Sequence, residues 1–239
     1  MNANNFRKRF KFKQFELAHH NSTIRVGTDG VLLGAWADVH KNNRVLDVGT
    51  GCGLIALMAA QRNSIGIIDA IDIDGASIEE AKSNFDISPW ATRLNAIQTS
   101  IQDFHPEKKY DHILSNPPFF EHGTSSPISQ RHKARHTVTL PTSDLVVHAS
   151  RLLTDNGMLS VIVPCDIEPL LVNNGEENGF FLVRKTLFYS KQGNKPERSL
   201  LCLGKTKNNM ESSSLVHYND DGSWTEGYKV LTRDYHIKL

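Results

Sequence analysis

Apolar residues fall into short runs that alternate with amphipathic segments, and the alternation begins after a polar stretch covering residues 1–43. Val45–Val48 is a short apolar run followed by glycines, which predicts a buried strand leading into a turn. Leu54–Gln61 has apolar residues at helical spacing; Ile67–Ile73 predicts the next strand and Ala76–Phe85 an amphipathic helix. Two short strands are predicted at Asn95–Thr99 and His112–Ser115. A helix over Thr142–Leu153 is stopped by Asn156-Gly157, and Met158–Val163 is a buried strand ended by Pro164. Asp166–Asn178 predicts a further helix, weakened by Pro169 and Gly175. Phe181–Tyr189 and Ser199–Leu203 predict two last strands around the polar turn Lys191–Glu197.

Strands alternating with helices predict an α/β fold with a mostly parallel, doubly wound, Rossmann-like sheet. The last two strands suit an antiparallel closing hairpin. We expect one main domain over residues 44–239, with 1–43 as a basic N-terminal segment packed on it. In such sheets ligands bind beyond the carboxyl ends of the strands, where the strand order reverses.

Composition narrows the class. No apolar stretch approaches the roughly 18 residues of a membrane span. The first residues, Met1 to Phe15, lack the apolar core of a secretory signal, so a cytoplasmic protein is expected. Three widely spaced cysteines, Cys52, Cys165 and Cys202, suit reduced thiols better than a disulfide framework. The histidines show neither HExxH nor cysteine-paired spacing, so no metal is expected.

The strongest chemical signal is Val45-Leu-Asp-Val-Gly-Thr-Gly-Cys-Gly-Leu54. A buried strand runs into Gly49, Gly51 and Gly53, which permit positive φ and close approach of a ligand to the backbone. The spacing is GxGxG and lacks the third glycine position of the dinucleotide fingerprint. Asp47 stands where a carboxylate can bond an amino group of the cofactor and would repel a pyrophosphate. The second strand ends in Ile71-Asp72-Ile73-Asp74. Asp72 is placed to accept from a ribose diol, with Ile73 beside it, and Asp74 to cap the next helix.

This combination resembles the class I S-adenosylmethionine-dependent methyltransferases, whose first motif is D-x-G-x-G-x-G and whose second strand ends in an acid. The resemblance implies S-adenosylmethionine as cofactor. It also implies an acid after the third strand at the cofactor's adenine. Ser100 stands at that position here, with Asp103 three residues on, so Ser100 and the Ile101 backbone are the candidates.

After the fourth strand comes Ser115-Asn116-Pro117-Pro118-Phe119. Two prolines make the segment rigid and leave its carbonyls free to face a pocket. An exocyclic amine conjugated to a ring is a poor nucleophile, because its lone pair is delocalised. Hydrogen bonds from its two N–H groups to the Asn116 side chain and the Pro117 carbonyl favour a pyramidal nitrogen, and positioning does the rest. Phe119 would stack on the flat substrate. The tetrapeptide resembles the N-P-P-[FY] motif of amino-group methyltransferases.

A wider resemblance covers most of the chain. Phe12–Phe15, Val26–Trp36, Ser88–Ala91 and the 47–53 and 116–119 motifs look like those of the bacterial tRNA(1)(Val) (adenine(37)-N6)-methyltransferase family. This implies tRNA as the substrate and adenosine N6 as the acceptor, and it places Thr28 and Asp29 near the methionine end of the cofactor. Net charge is only +1, so the distribution of charge matters more than its sum. Arg7, Lys8, Arg9, Lys11 and Lys13 alternate with phenylalanines, and Arg131, Lys133 and Arg135 follow the catalytic motif. Given such a substrate, these cations are candidates for phosphate contact and the phenylalanines for base stacking or core. N2-methylation of guanine in rRNA and N5-methylation of protein glutamine use the same motif and stay open. So does a non-catalytic RNA-binding module, against which intact Asp47, Asp72 and Asn116 argue.

Overall fold

A computed structural model describes residues 9–22, 26–118 and 140–237. Its centre is an eight-stranded sheet. The strands are β3 (Arg44–Val48), β4 (Ile67–Asp72), β5 (Leu94–Gln98), β6 (Tyr110–Ser115), β7 (Leu153–Pro164), β8 (Phe181–Lys191), β9 (Arg198–Gly204) and β10 (Glu211–Tyr218). Their order is β10-β8-β9-β7-β6-β3-β4-β5. All neighbouring pairs are parallel except β7–β9 and β8–β9, so β9 alone runs against the rest. The order reverses at β3, and the crevice between β3 and β6 is the switch point.

Side chains alternate across both faces with the period of two that a strand imposes. Val45, Ile68, Leu114, Ile162 and Cys202 enter one core cluster. Leu46, Ile71, Ile113, Val161 and Leu201 enter the other. Both faces are therefore covered. Helices α1 (Thr28–Trp36), α2 (Leu54–Arg62) and α3 (Gly75–Asp86) pack on the first face. Helices α4 (Thr142–Leu152) and α5 (Glu168–Glu177) pack on the second.

Helix α1 is buried nearly all round from Gly30 to Trp36, and its glycines set its distance from α2. A Cβ at Gly30 would meet Leu54 at 3.0 Å, and one at Gly34 would meet the Met58 sulfur at 2.7 Å. The carboxyl end of α1 is capped by a cation, which suits the negative pole of the helix. The Arg62 guanidinium donates to the carbonyls of Gly34 (3.0 Å), Ala35 and Ala37.

Three features differ from the expectations. Helix α4 passes directly into β7 at Leu153, well before Met158, so Asn156-Gly157 does not end a helix. The extra residues are absorbed as a bulge, where Tyr110 pairs Leu153 and His112 pairs Met158. The β8–β9 hairpin is present but is not final. Strand β10 follows, adds to the sheet edge parallel to β8, and leads into α6 (Glu226–Thr232). The chain then returns to its beginning: Tyr235 Oη donates to the Met58 carbonyl at 3.0 Å, and the Lys13 amide donates to the Tyr235 carbonyl at 2.8 Å. Among the described residues no helix is long and apolar enough to cross a membrane.

Candidate active site

The turn between β3 and α2 is built on its glycines. Gly49, Gly51 and Gly53 have φ of 73°, 54° and 85°, a region costly for any side chain. Space decides two of them differently. A Cβ on Gly53 would strike the Phe85 ring at 2.5 Å, whereas one on Gly49 would meet nothing within 4 Å among the described residues. Gly53 thus permits helix packing, and Gly49 presents bare backbone to open space. Gly49 and Thr50 donate their amides to the Ile71 carbonyl at 2.9 and 3.1 Å, tying the turn to β4.

Asp72 ends β4 and is 8% exposed. One oxygen accepts the Gly51 amide at 2.9 Å and the other the Asp74 amide at 2.9 Å. A carboxylate oxygen can accept more than one hydrogen bond, so holding the loop does not by itself bar a hydroxyl. Asp74 caps α3 through the Ser77 amide at 2.9 Å, and Ile73 lies exposed between the two acids.

Asp47 lies deeper. It is fully buried beneath the turn, and one oxygen accepts the Thr50 hydroxyl at 2.7 Å and the Ala56 amide at 3.2 Å. Its other oxygen has no partner among the described residues. Burial pushes its pKa up to about 7; the bonds from Thr50 and Ala56 pull it back, and the charge of Asp72 adds to the rise. Asp47 therefore shapes the turn from below and does not line the cavity above it.

That cavity, of about 550 Å³, lies at the carboxyl edge of the parallel strands. Its floor and one side are Gly49, Thr50, Cys52 and the start of α2. Gly27 to Gly30, at the start of α1, form a second side. Both helices begin on a glycine, which brings no side-chain cap of its own; at α2 the Ala56 amide is taken by Asp47, and the remaining first-turn amides lack intrahelical partners at an anion-favouring end. Thr28 is exposed, and the Asp29 carboxylate accepts from Arg198 Nε at 2.9 Å.

Asn116 opens into the same cavity from the end of β6. The buried Ser115 hydroxyl donates to the Val48 carbonyl at 2.9 Å and so locks the end of β6 against β3. Asn116 is half-buried, Pro117 buried and Pro118 exposed. Phe119 lies outside the described residues, as do Arg7, Lys8, Arg131, Lys133 and Arg135.

Ser100 sits just beyond β5, on the far side of Asp72. Its hydroxyl donates to the Asp103 carboxylate at 2.7 Å and accepts the Asp103 amide at 3.1 Å. The loop thus carries, three residues later, the acid that position 100 lacks. The Ile101 side chain is core, and its carbonyl accepts from Arg151 at 3.0 Å.

The N-terminal cations divide. Arg9 is 3.8 Å from Glu16 and Lys13 bonds the Arg233 carbonyl, while Lys11 is exposed. Of the interleaved phenylalanines, Phe12 and Phe15 are core and stack at 4.6 Å, and Phe10 is at the surface.

Several residues here carried no signal in the sequence. Phe188, Ser190, Glu197, Arg198, His217 and Tyr218 form the third side of the cavity, from β8, β9, the turn between them and β10. Glu80 and Asn84 on α3 act from behind. Glu80 accepts the amides of His20, Asn21 and Ser22 at 2.8–3.0 Å. Asn84 bridges Ala18 and the Cys52 carbonyl, joining the N-terminal segment to the glycine turn.

Comparison with known proteins agrees with this arrangement. The family model for the methyltransferase small domain matches residues 22–168. A tRNA1(Val) (adenine(37)-N6)-methyltransferase of Aeromonas salmonicida is 39% identical over 96% of this chain and 98% of its own. One of Mannheimia succiniciproducens is 40% identical over 96% of this chain and 95% of its own. Among solved structures, a predicted O-methyltransferase of Agrobacterium tumefaciens superposes with a TM-score of 0.69 at 18% identity. It covers 89% of this chain and 100% of its own, which establishes the class I methyltransferase fold. S-adenosylmethionine is the cofactor of this fold and family. The cradle suits it: bare backbone at Gly49, the glycine-led start of α1 for a carboxylate, and an acid at the end of β4 for a diol. With a glycine turn and Asn116 on one cavity, an acid at the end of the neighbouring strand, and relatives alike along nearly its whole length, the chain belongs to the tRNA1(Val) (adenine(37)-N6)-methyltransferase family.

Proposed function

We propose that this protein methylates N6 of adenosine in tRNA, with adenosine 37 of tRNA1(Val) as its target. The observation that carries the reading is that Asn116 opens into the same cavity as the glycine turn and the start of α1. A group held by Asn116 is thereby presented to a ligand held by the cradle.

The cofactor supplies an electrophilic methyl group. Everything else falls to the chain. Asp72 receives ribose hydroxyls, the Ser100–Asp103 loop and the Ile101 backbone meet the adenine, and Thr28 and Asp29 with the start of α1 meet the amino-acid end. Asp47 holds the turn from beneath. The Asn116 side-chain oxygen and the Pro117 carbonyl accept the two N–H bonds of the target amine and free its lone pair. Pro117 and Pro118 keep these acceptors in place, and Phe119 stacks on the base. Lys11, with Arg7, Lys8, Arg9, Lys13, Arg131, Lys133 and Arg135, contacts phosphates. The N-terminal segment is part of this RNA-facing surface, and the protein works in the cytoplasm, where its substrate is.

Asn116→Ala tests the reading. Single-turnover transfer to N6 of tRNA adenosine should fall on the order of 100-fold or more, as when a reacting group loses its alignment. Cofactor affinity by calorimetry should stay within about twofold of wild type, because the lost contact is to the acceptor. Near wild-type transfer by the variant would remove Asn116 from the chemistry.

A further inference from the structure

The third side of the cavity carries aromatic rings, and His217 and Tyr218 among them come from a strand outside the predicted fold. Tyr218, at the end of β10, is half-buried and lines the cavity. One face of its ring is covered by His217, with centroids 3.8 Å apart and planes 26° off parallel. His217 is itself 7% exposed, packed by Tyr228 at 4.1 Å and Phe188 at 5.6 Å. Strand β10 is further supported by α6, where the Thr225 side chain caps the helix through the Tyr228 amide. A half-buried ring stacked on a buried, wedged neighbour is fixed before any ligand arrives.

Position in the sheet says which ligand it meets. Strand β10 lies six places from β4, whose end carries Asp72. The cavity brings Tyr218 and Asn116 together, whereas Asp72 is not among the residues that line it. Asn116, just past the end of β6, stands between β10 and β4. The nucleoside part of a cofactor seated over β4 lies on one flank of Asn116, and the β8–β10 side lies on the other. The geometry points to Tyr218 as a stacking platform for the acceptor purine, held in orientation by His217. The inference rests on the reading proposed above. An aromatic face binds a planar base of any identity, so Tyr218 contributes affinity and placement, while Asn116 selects the amine.

The test compares wild type, Tyr218→Leu and Tyr218→Phe with tRNA1(Val) transcript as acceptor. Tyr218→Leu should raise KM for the RNA roughly tenfold or more. Its S-adenosylmethionine Kd by calorimetry should stay within about twofold, and its Tm within a few degrees. Tyr218→Phe, which keeps the ring, should restore the wild-type KM. A merely structural role would not give this split with rescue by Phe. If Tyr218→Leu does not fold, Tyr218→Gln, of similar reach without a ring, replaces it. An unchanged KM, or a cofactor Kd that weakens in step with it, overturns the inference while the functional reading stands. No transfer to tRNA adenosine by wild type overturns both.

Discussion

Asp47 and Asp72 are two acids near one glycine turn, and burial separates their roles. Asp72 reaches the end of its strand, where its two oxygens accept the Gly51 and Asp74 amides. Asp47 is sealed beneath, where losing its proton means placing a charge in a poorly solvated site. Its pKa is pushed up from 3.8 to about 7, chiefly by burial. The folded chain therefore holds this proton more tightly than the unfolded chain. Its contribution to stability is full below pH 3.8 and is lost as pH rises through about 7. Asp47→Asn keeps an acceptor for Thr50 and Ala56 without the titration. The stability difference between variant and wild type, measured by urea unfolding, should shift in the variant's favour between these pH values and level off above them. Parallel stability–pH profiles would show that Asp47 is not the group responsible.

At the scale of elements, α1 sets one wall of the cavity, and its placement depends on both its ends. The amino end faces the cavity beside the Asp29–Arg198 pair, which closes at 2.9 Å. The carboxyl end is held by Arg62, and the middle by the Gly30 and Gly34 contacts with α2. Arg62→Met keeps the stem volume but leaves three part-buried carbonyls without their donor. A loss of about 3 kcal/mol is expected in urea unfolding, the scale of charged hydrogen bonds removed from a partly buried site. Cofactor binding should weaken less than stability, because α2 still supports the helix. A loss below about 0.5 kcal/mol, typical of an exposed cation, would refute this role.

Over the whole molecule, the two ends of the chain meet behind the site, where the N-terminal hairpin, β1 (Phe10–Lys11) and β2 (Glu16–Leu17), joins the segment after α6. Phe12 and Phe15 sit in the core there, leaving Lys11 exposed on the same hairpin. Burying Phe12 and Phe15, which flank the hairpin turn, leaves Lys11 and Lys13 at its surface. If these cations and the 131–135 cluster grip phosphates, tRNA binding should weaken linearly in log salt. Replacing Arg131, Lys133 and Arg135 together with Ala should flatten that slope by roughly one unit per lost contact, with cofactor affinity unmoved. Filter binding at several salt concentrations measures it, and equal slopes would return the cluster to ordinary solvated surface.

What the residues alone determined was local and periodic. Apolar alternation placed β3, β4, β6 and α2 to within a few positions, because both faces of a doubly wound sheet must be covered. Glycines at 49, 51 and 53 marked a turn of positive φ, since few other residues adopt it. Asn116-Pro-Pro announced a rigid acceptor, because proline restricts the backbone wherever it stands. Tertiary structure decided what depends on distant partners. Strand β10 is polar over Glu211–Ser214 and gains its place only by pairing with β8. Arg198, His217 and Tyr218 join the cavity because the sheet carries residues far apart in sequence to one edge. The inward turn of Asp47 was equally illegible, for a carboxylate's burial depends on the elements packed over it and not on its neighbours in the chain.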